Sequence, residues 1–190
     1  DEFVQIKENY IYVICPANLV TGGPELLHQL VNKLVKRKKN AFIVYSPLGN
    51  KWETPKEYMR YDCPVAQNVP DRKDVVIIVP EVDTHLLLKF GKARQVVWWL
   101  SVDNYFVKLY NWKYLIGRLQ KFLRLDILSL RRSTHLFQSE YARVFVCKRF
   151  KSNGAMLSDY LASEYLAPAL NVSKKNVVAY NPKKGLKYTK

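Results

Sequence analysis

The sequence predicts an α/β fold, a Rossmann-like parallel sheet with helices on both faces, and three observations carry that expectation. Tyr10 to Cys15 and Val75 to Val79 are uncharged, apolar runs rich in β-branched residues, as suits strands buried on both sides of a parallel sheet. After the first run, Leu26, Leu27, Leu30, Val31, Leu34 and Val35 recur at three- and four-residue spacing, which makes one apolar helical stripe. A strand, this helix and a second strand, Ala41 to Tyr45, fit into roughly 35 residues, the size of a right-handed crossover unit.

The remaining elements follow in order. Pro24 stands where a first-turn proline is tolerated in the first helix. Lys36 to Lys39 form a basic run, Asn40 breaks it, and Ser46-Pro47 closes the second strand. Leu48 to Asp74 is mostly polar and holds Gly49, Pro55, Pro64 and Pro70, so loops are expected there with a short helix at Pro55 to Met59. Val75 to Val79 runs into Pro80-Glu81. Thr84 is placed to cap a short helix through Phe90, ended by Gly91. Gln95 to Leu100 is a strand with Trp98 and Trp99, and Ser101-Val102-Asp103-Asn104 stands at its C-terminal end. That edge of an open α/β sheet is where ligands bind; capping of the next helix is the alternative role for Asp103.

Asn111 to Arg124 is an amphipathic helix: Trp112, Leu115, Ile116, Leu119, Phe122 and Leu123 make one face, and Lys113, Arg118, Lys121 and Arg124 the other. Such a helix either packs on a core or lies in a bilayer interface. Thr134 to Gln138 reads as a strand, Ser139-Glu140-Tyr141 opens a helix toward Phe150, and Gly154 to Leu157 is a short strand. Tyr160 to Leu170 is expected to be helical and Lys175 to Tyr180 to be a last strand, followed by Asn181-Pro182-Lys183-Lys184-Gly185 and a basic tail.

The totals restrict the class. At 190 residues the chain suffices for one well-packed domain or half of a two-domain enzyme. Hydrophobic residues at 48% and charged residues at 25% argue against disorder. Thirty-one Lys and Arg against sixteen Asp and Glu leave +15, so the surface attracts phosphates, an acidic membrane leaflet or nucleic acid. Cys15, Cys63 and Cys147 are far apart and odd in number, which suggests neither a disulfide framework nor a clustered zinc site and fits a reducing compartment. No window approaches the roughly eighteen apolar residues of a membrane span, and Asp1-Glu2-Phe3 does not start a signal peptide. A soluble or membrane-surface protein is expected.

The chemistry centres on Thr21-Gly22-Gly23-Pro24, between the first strand and the first helix. Adjacent glycines strip side chains from backbone at a helix N-terminus, where amide hydrogens and the helix dipole favour an anion. The turn is not the dinucleotide fingerprint, which needs three glycines at set spacing, and no Walker lysine and hydroxyl follow it. His28, His85 and His135 have no second histidine or cysteine at ligand spacing, so structural roles are expected and no metal. No Ser, His and Asp set stands out by spacing. A pI near 9.7 fits nucleic-acid binding, yet the basic residues are dispersed and no recognition module is spelled out, so nucleic acid is not expected as a partner.

Several stretches together resemble the N-terminal domain of bacterial glycosyltransferases of the GT-B fold, which face two Rossmann-like domains across a cleft. They are Ile14-Cys15-Pro16 leading to Thr21-Gly22-Gly23-Pro24-Glu25, Ile77-Ile78-Val79-Pro80-Glu81, Trp98-Trp99-Leu100-Ser101-Val102-Asp103-Asn104, Phe137-Gln138-Ser139-Glu140-Tyr141-Ala142, Leu157-Ser158-Asp159-Tyr160-Leu161 and Asn181-Pro182-Lys183-Lys184-Gly185. The resemblance spans about residue 10 to 185.

It implies an acceptor-side domain over residues 1–185, one half of a GT-B architecture. Residues 186–190 would begin the linker to a C-terminal donor-binding domain that this chain does not contain. Gly22 and Gly23 would face the donor's diphosphate, with Asn104 and Asp103 lining the cleft, and Asp103 is the candidate base where one is needed. The implied partners are a nucleotide-sugar donor, a saccharide or lipid-linked acceptor, the enzyme's C-terminal domain and an anionic membrane surface; no cofactor is implied. The expected activity is sugar transfer in surface polysaccharide biosynthesis, in the cytoplasm or peripheral to the inner membrane. A non-catalytic Rossmann-like binding module, or half of a two-chain assembly, is the alternative.

Overall fold

A computed structural model describes residues 10–107, 125–159 and 176. The chain divides into two units, Asp1–Asp159 and Tyr160–Lys190, and every element below belongs to the first. In order these are β1 (Tyr10–Pro16), α1 (Gly22–Lys36), β2 (Asn40–Ser46), α2 (Lys56–Met59), β3 (Val75–Pro80), a 3-10 segment (Glu81–Lys89), β4 (Arg94–Trp99), α3 (Val102–Val107), α4 (Leu125–Arg132), β5 (Thr134–Phe137), α5 (Glu140–Phe150) and β6 (Gly154–Met156). The expected amphipathic helix Asn111 to Arg124, the helix Tyr160 to Leu170 and the hinge and linker from Asn181 onward lie outside the described residues. So does the strand Lys175 to Tyr180, apart from Asn176.

The six strands form one sheet in the order β2-β1-β3-β4-β5-β6, and every pairing is parallel. This is the Rossmann-like α/β arrangement that the apolar runs announce. Alternate residues of each strand enter different cores, since successive side chains point to opposite faces. Ile11, Val13, Cys15, Ile43, Val76, Ile78, Val96 and Trp98 pack with Leu27 and Val31 of α1. On the other face Ile14, Val75, Ile77, Val79, Val97, Trp99 and Phe137 pack with Leu86 and Leu87 of the 3-10 segment, Tyr105 of α3, Leu130 of α4 and Val146 and Phe150 of α5. Every residue of β3 is buried, the environment its unbroken apolar run calls for.

The stretch between β2 and β3 covers the outer edge of the sheet. Ile43 donates to the Pro64 carbonyl, and Ala66 donates back to Ile43, a parallel bridge at Val65. At the N-terminal end of β4, the Asp71 carboxylate accepts from the amides of Gly91 at 3.0 Å and of Lys92 and Ala93 at 2.8 Å each. At the far side, β6 approaches β5 so closely that a Cβ on Gly154 would lie 2.1 Å from the His135 carbonyl oxygen.

One expected helix differs. In place of a helix capped by Thr84, a 3-10 segment begins at Glu81, and Asp83 leaves helical geometry at φ −116° and ψ 17°. The Thr84 hydroxyl points back to the Glu81 carbonyl at 3.5 Å. Within this segment Glu81 accepts from the Leu100 amide just past β4, and Asp83 from the Ser46 hydroxyl at the end of β2. The helix expected from Ser139-Glu140-Tyr141 is α5, and Ser139 caps it, accepting from the Ala142 amide at 3.3 Å.

Candidate functional site

The strand order reverses between β1 and β3, and in open α/β sheets the crevice outside the carboxyl ends at such a reversal is the ligand position. The loop leaving β1 passes through Asn18 at φ 55° and exposes Leu19 and Val20 to 48% and 53%. Thr21 then takes the N-cap position of α1 in extended geometry, with no side-chain cap bond. Its amide donates to Tyr58 Oη at 2.8 Å, and the Tyr58 hydroxyl donates to the Thr21 carbonyl at 2.9 Å. Glu25 N also donates to that carbonyl at 3.1 Å, and Pro24 has no N–H.

Two first-turn donors remain, the amides of Gly22 and Gly23, and among the described residues neither has an acceptor. A Cβ on Gly22 would meet nothing within 4 Å, and one on Gly23 would touch only Leu100 Cδ1, at 3.7 Å. Neither packing nor backbone conformation demands glycine at these positions. What the pair provides is open access to two amides without a protein acceptor among the described residues, at the positive end of a 15-residue helix.

Leu100 belongs to the turn between β4 and α3, so this turn and the start of α1 meet over the end of β3. Asp103 is exposed, in the first turn of α3. Its position inside the helix sets aside the capping alternative: the Asn104 amide closes on the Ser101 carbonyl at 3.2 Å, which makes Ser101 the cap. The Asn104 side chain reaches within 3.5 Å of Glu81 Oε1. The fold thus places Gly22 and Gly23 on one side of the β3 end and Asp103 and Asn104 on the other.

Beneath them lie two carboxylates that the sequence reading passed over. Glu81 is 2% exposed and Asp83 3%. Glu81 Oε2 accepts from the Leu100 amide at 3.0 Å, and Asp83 Oδ2 accepts from Ser46 Oγ at 2.6 Å. Burial pushes the Glu81 carboxyl above its ordinary value, with the Leu100 and Ser101 amides among the groups that partly offset the shift. A sequence signal did exist. Glu81-Val82-Asp83 directly follows the strand Val75–Pro80, and the same C-terminal-edge rule that drew attention to residues 101–104 applies to it.

Packing supports the α1 turn from below. His28 Nδ1 is 2.7 Å from the Pro24 carbonyl and Nε2 2.9 Å from the Tyr45 hydroxyl, and its ring stacks on Tyr58 with centroids 4.5 Å apart. Because a carbonyl only accepts, Nδ1 carries the proton. Burial lowers the His28 pKa, so the ring is a neutral strut rather than a titrating group at neutral pH. Arg60 pairs with Glu25 at 2.5 Å on the exposed side of the helix. Among the described residues no cluster of three or more His, Cys, Asp or Glu is placed to hold a metal.

No protein-family model, curated protein or solved structure matches the chain.

Proposed function

We propose that this chain is the acceptor-side domain of a glycosyltransferase that moves a sugar from a nucleotide-sugar donor to a saccharide or lipid-linked acceptor. The carrying observation is the pair of amides at Gly22 and Gly23, without a protein acceptor among the described residues and open at the switch point of a parallel sheet. Glycosyl transfer from such a donor must stabilise a diphosphate leaving group, and fixed amides on a helix N-terminus do so without reorganising. The formal +15 adds long-range attraction for an anionic donor or lipid phosphate.

In this reading Gly22 and Gly23 face the diphosphate, Asn104 borders the cleft, and Asp103 is the candidate base. Its exposure leaves it accessible to an acceptor hydroxyl, whereas Glu81 and Asp83 are too deeply buried to touch one. The donor's nucleotide would be held chiefly by a second domain. No helix among the described residues is long and apolar enough to cross a membrane; contact with an anionic leaflet would use the basic amphipathic sequence Asn111 to Arg124.

The test is calorimetric titration of a panel of nucleotide diphosphate sugars into this chain and into the longest native form of the protein. Binding by either form, weakened by Gly22→Val, is the expected result. If neither form binds or hydrolyses any donor, the reading fails and a non-catalytic binding module takes its place. For the membrane contact, flotation with anionic vesicles is expected to exceed flotation with neutral ones; equal recovery removes that part.

A further inference from the structure

We propose that Glu81 and Asp83 are positioning residues which together hold both walls of the switch-point crevice and so fix the Gly22-Gly23 turn. The inference rests on the ligand site proposed above. Both side chains leave the end of β3 within three residues, and both are almost completely buried, so neither can meet a ligand directly. They reach in opposite directions.

Glu81 takes the β4 side. Its Oε2 accepts from the Leu100 amide at 3.0 Å and its Oε1 lies 3.5 Å from Asn104 Nδ2. Leu100 in turn sets its Cδ1 3.7 Å from where a Gly23 Cβ would stand. Asp83 takes the β2 side, passing the end of β1 to accept from Ser46 Oγ at 2.6 Å. The Ser46 carbonyl accepts from the Ala17 amide at 3.0 Å, and Ala17 opens the loop that leads to Gly22. One short segment therefore holds both the start of the loop that leads to Gly22 and the turn that flanks Gly23.

Burying two carboxylates is costly unless their hydrogen bonds are made. That cost is what makes the arrangement a bracket: moving either wall would take a hydrogen bond away from a buried carboxylate. A displacement of about 1 Å at a site of this kind costs about 100-fold in catalytic rate.

The experiment compares Glu81→Ala, Glu81→Gln, Asp83→Ala and Asp83→Asn in the whole chain. Two readouts are taken, the backbone amide resonances of Gly22 and Gly23 and the affinity for UDP-glucose as probe. Both alanine variants are expected to shift the two resonances and to weaken the probe about tenfold. The amide variants keep a carbonyl acceptor, so each should restore resonances and affinity close to wild type. Gly22 and Gly23 resonances unchanged in the alanine variants overturn the proposal, as do amide variants displaced as far as the alanine ones. If wild type does not bind UDP-glucose, the resonances alone decide the bracket, and the functional reading is judged separately by the donor panel. If the alanine variants do not fold, Ser46→Ala takes their place: shifted Gly22 and Gly23 resonances support the bracket and unchanged ones overturn it.

Discussion

The Trp99 indole N–H donates to His135 Nδ1 at 2.9 Å, between neighbouring strands in the middle of the core. On the other side of the ring, Nε2 lies 2.8 Å from the Leu130 carbonyl. Only the neutral ring with its proton on Nε2 satisfies both neighbours; a second proton would set N–H against N–H.

Acid should therefore loosen the fold through this histidine. Burial lowers the pKa of His135, as it does that of His28. The unfolded ring, near 6.5, binds protons that the folded one refuses, so stability falls as pH drops through about 6.5. Thermal melts between pH 7.5 and 5.5 should show a declining midpoint. His135→Gln should be less stable throughout but decline less steeply, and a flat wild-type profile would contradict the assignment.

Glu81 works in the opposite sense. Its folded pKa is raised by burial, so its contribution is fully present below the unfolded value near 4.5 and is lost as pH rises through the folded one. At pH 7 Glu81→Gln should be at least as stable as wild type, because it keeps an acceptor without a charge. Glu81→Ala leaves the Leu100 amide unpaired and should cost about 1–3 kcal/mol. Denaturant midpoints at pH 7 check both signs.

The glycines should separate sharply. Gly154→Ala drives a Cβ into the His135 carbonyl, where backbone must move, and should cost about 1–3 kcal/mol. Gly22→Ala enters open space and should change stability by less than about 0.5 kcal/mol. Urea unfolding of the two variants gives the comparison, and equal losses would refute it.

Asp71 should stay ionised to a lower pH than an ordinary aspartate. Hydrogen bonds from the Ala93, Lys92 and Gly91 amides hold its carboxyl below the ordinary value, so its contribution is present above about 3.9 and disappears as pH falls through the folded value. In Asp71→Ala the amides of Lys92 and Ala93 should exchange with solvent markedly faster at pH 7. Unchanged exchange would show the carboxylate to be dispensable.

The sheet was legible because its strands advertise two-sided burial. Tyr10 to Cys15 and Val75 to Val79 carry no charge, and the structure gives each of their faces a core. The α1 stripe was legible in register, although Leu27 and Val31 are the members fully buried, with Leu26, Leu30 and Leu34 only partly so. The 3-10 segment was not: the partners of its two acidic residues, Ser46 and Leu100, lie 37 and 19 residues from Asp83 and Glu81. The Gly22-Gly23 turn was readable as a helix start; that its amides lack acceptors could be learned only from what surrounds them. The burial of Glu81 and Asp83 was likewise invisible in a charged tripeptide after a proline.

All-parallel pairing also dictates an order of events during synthesis. β1 is made before both of its partners, yet it is an interior strand paired to Asn40–Ser46 on one side and Val75–Pro80 on the other. No local hairpin can shelter it, so a nascent chain that ends before Val75 carries an apolar strand with an unpaired edge. Fragments that stop before Val75 should stick to one another or to chaperones, and the tendency should persist until β4 covers the far edge of β3.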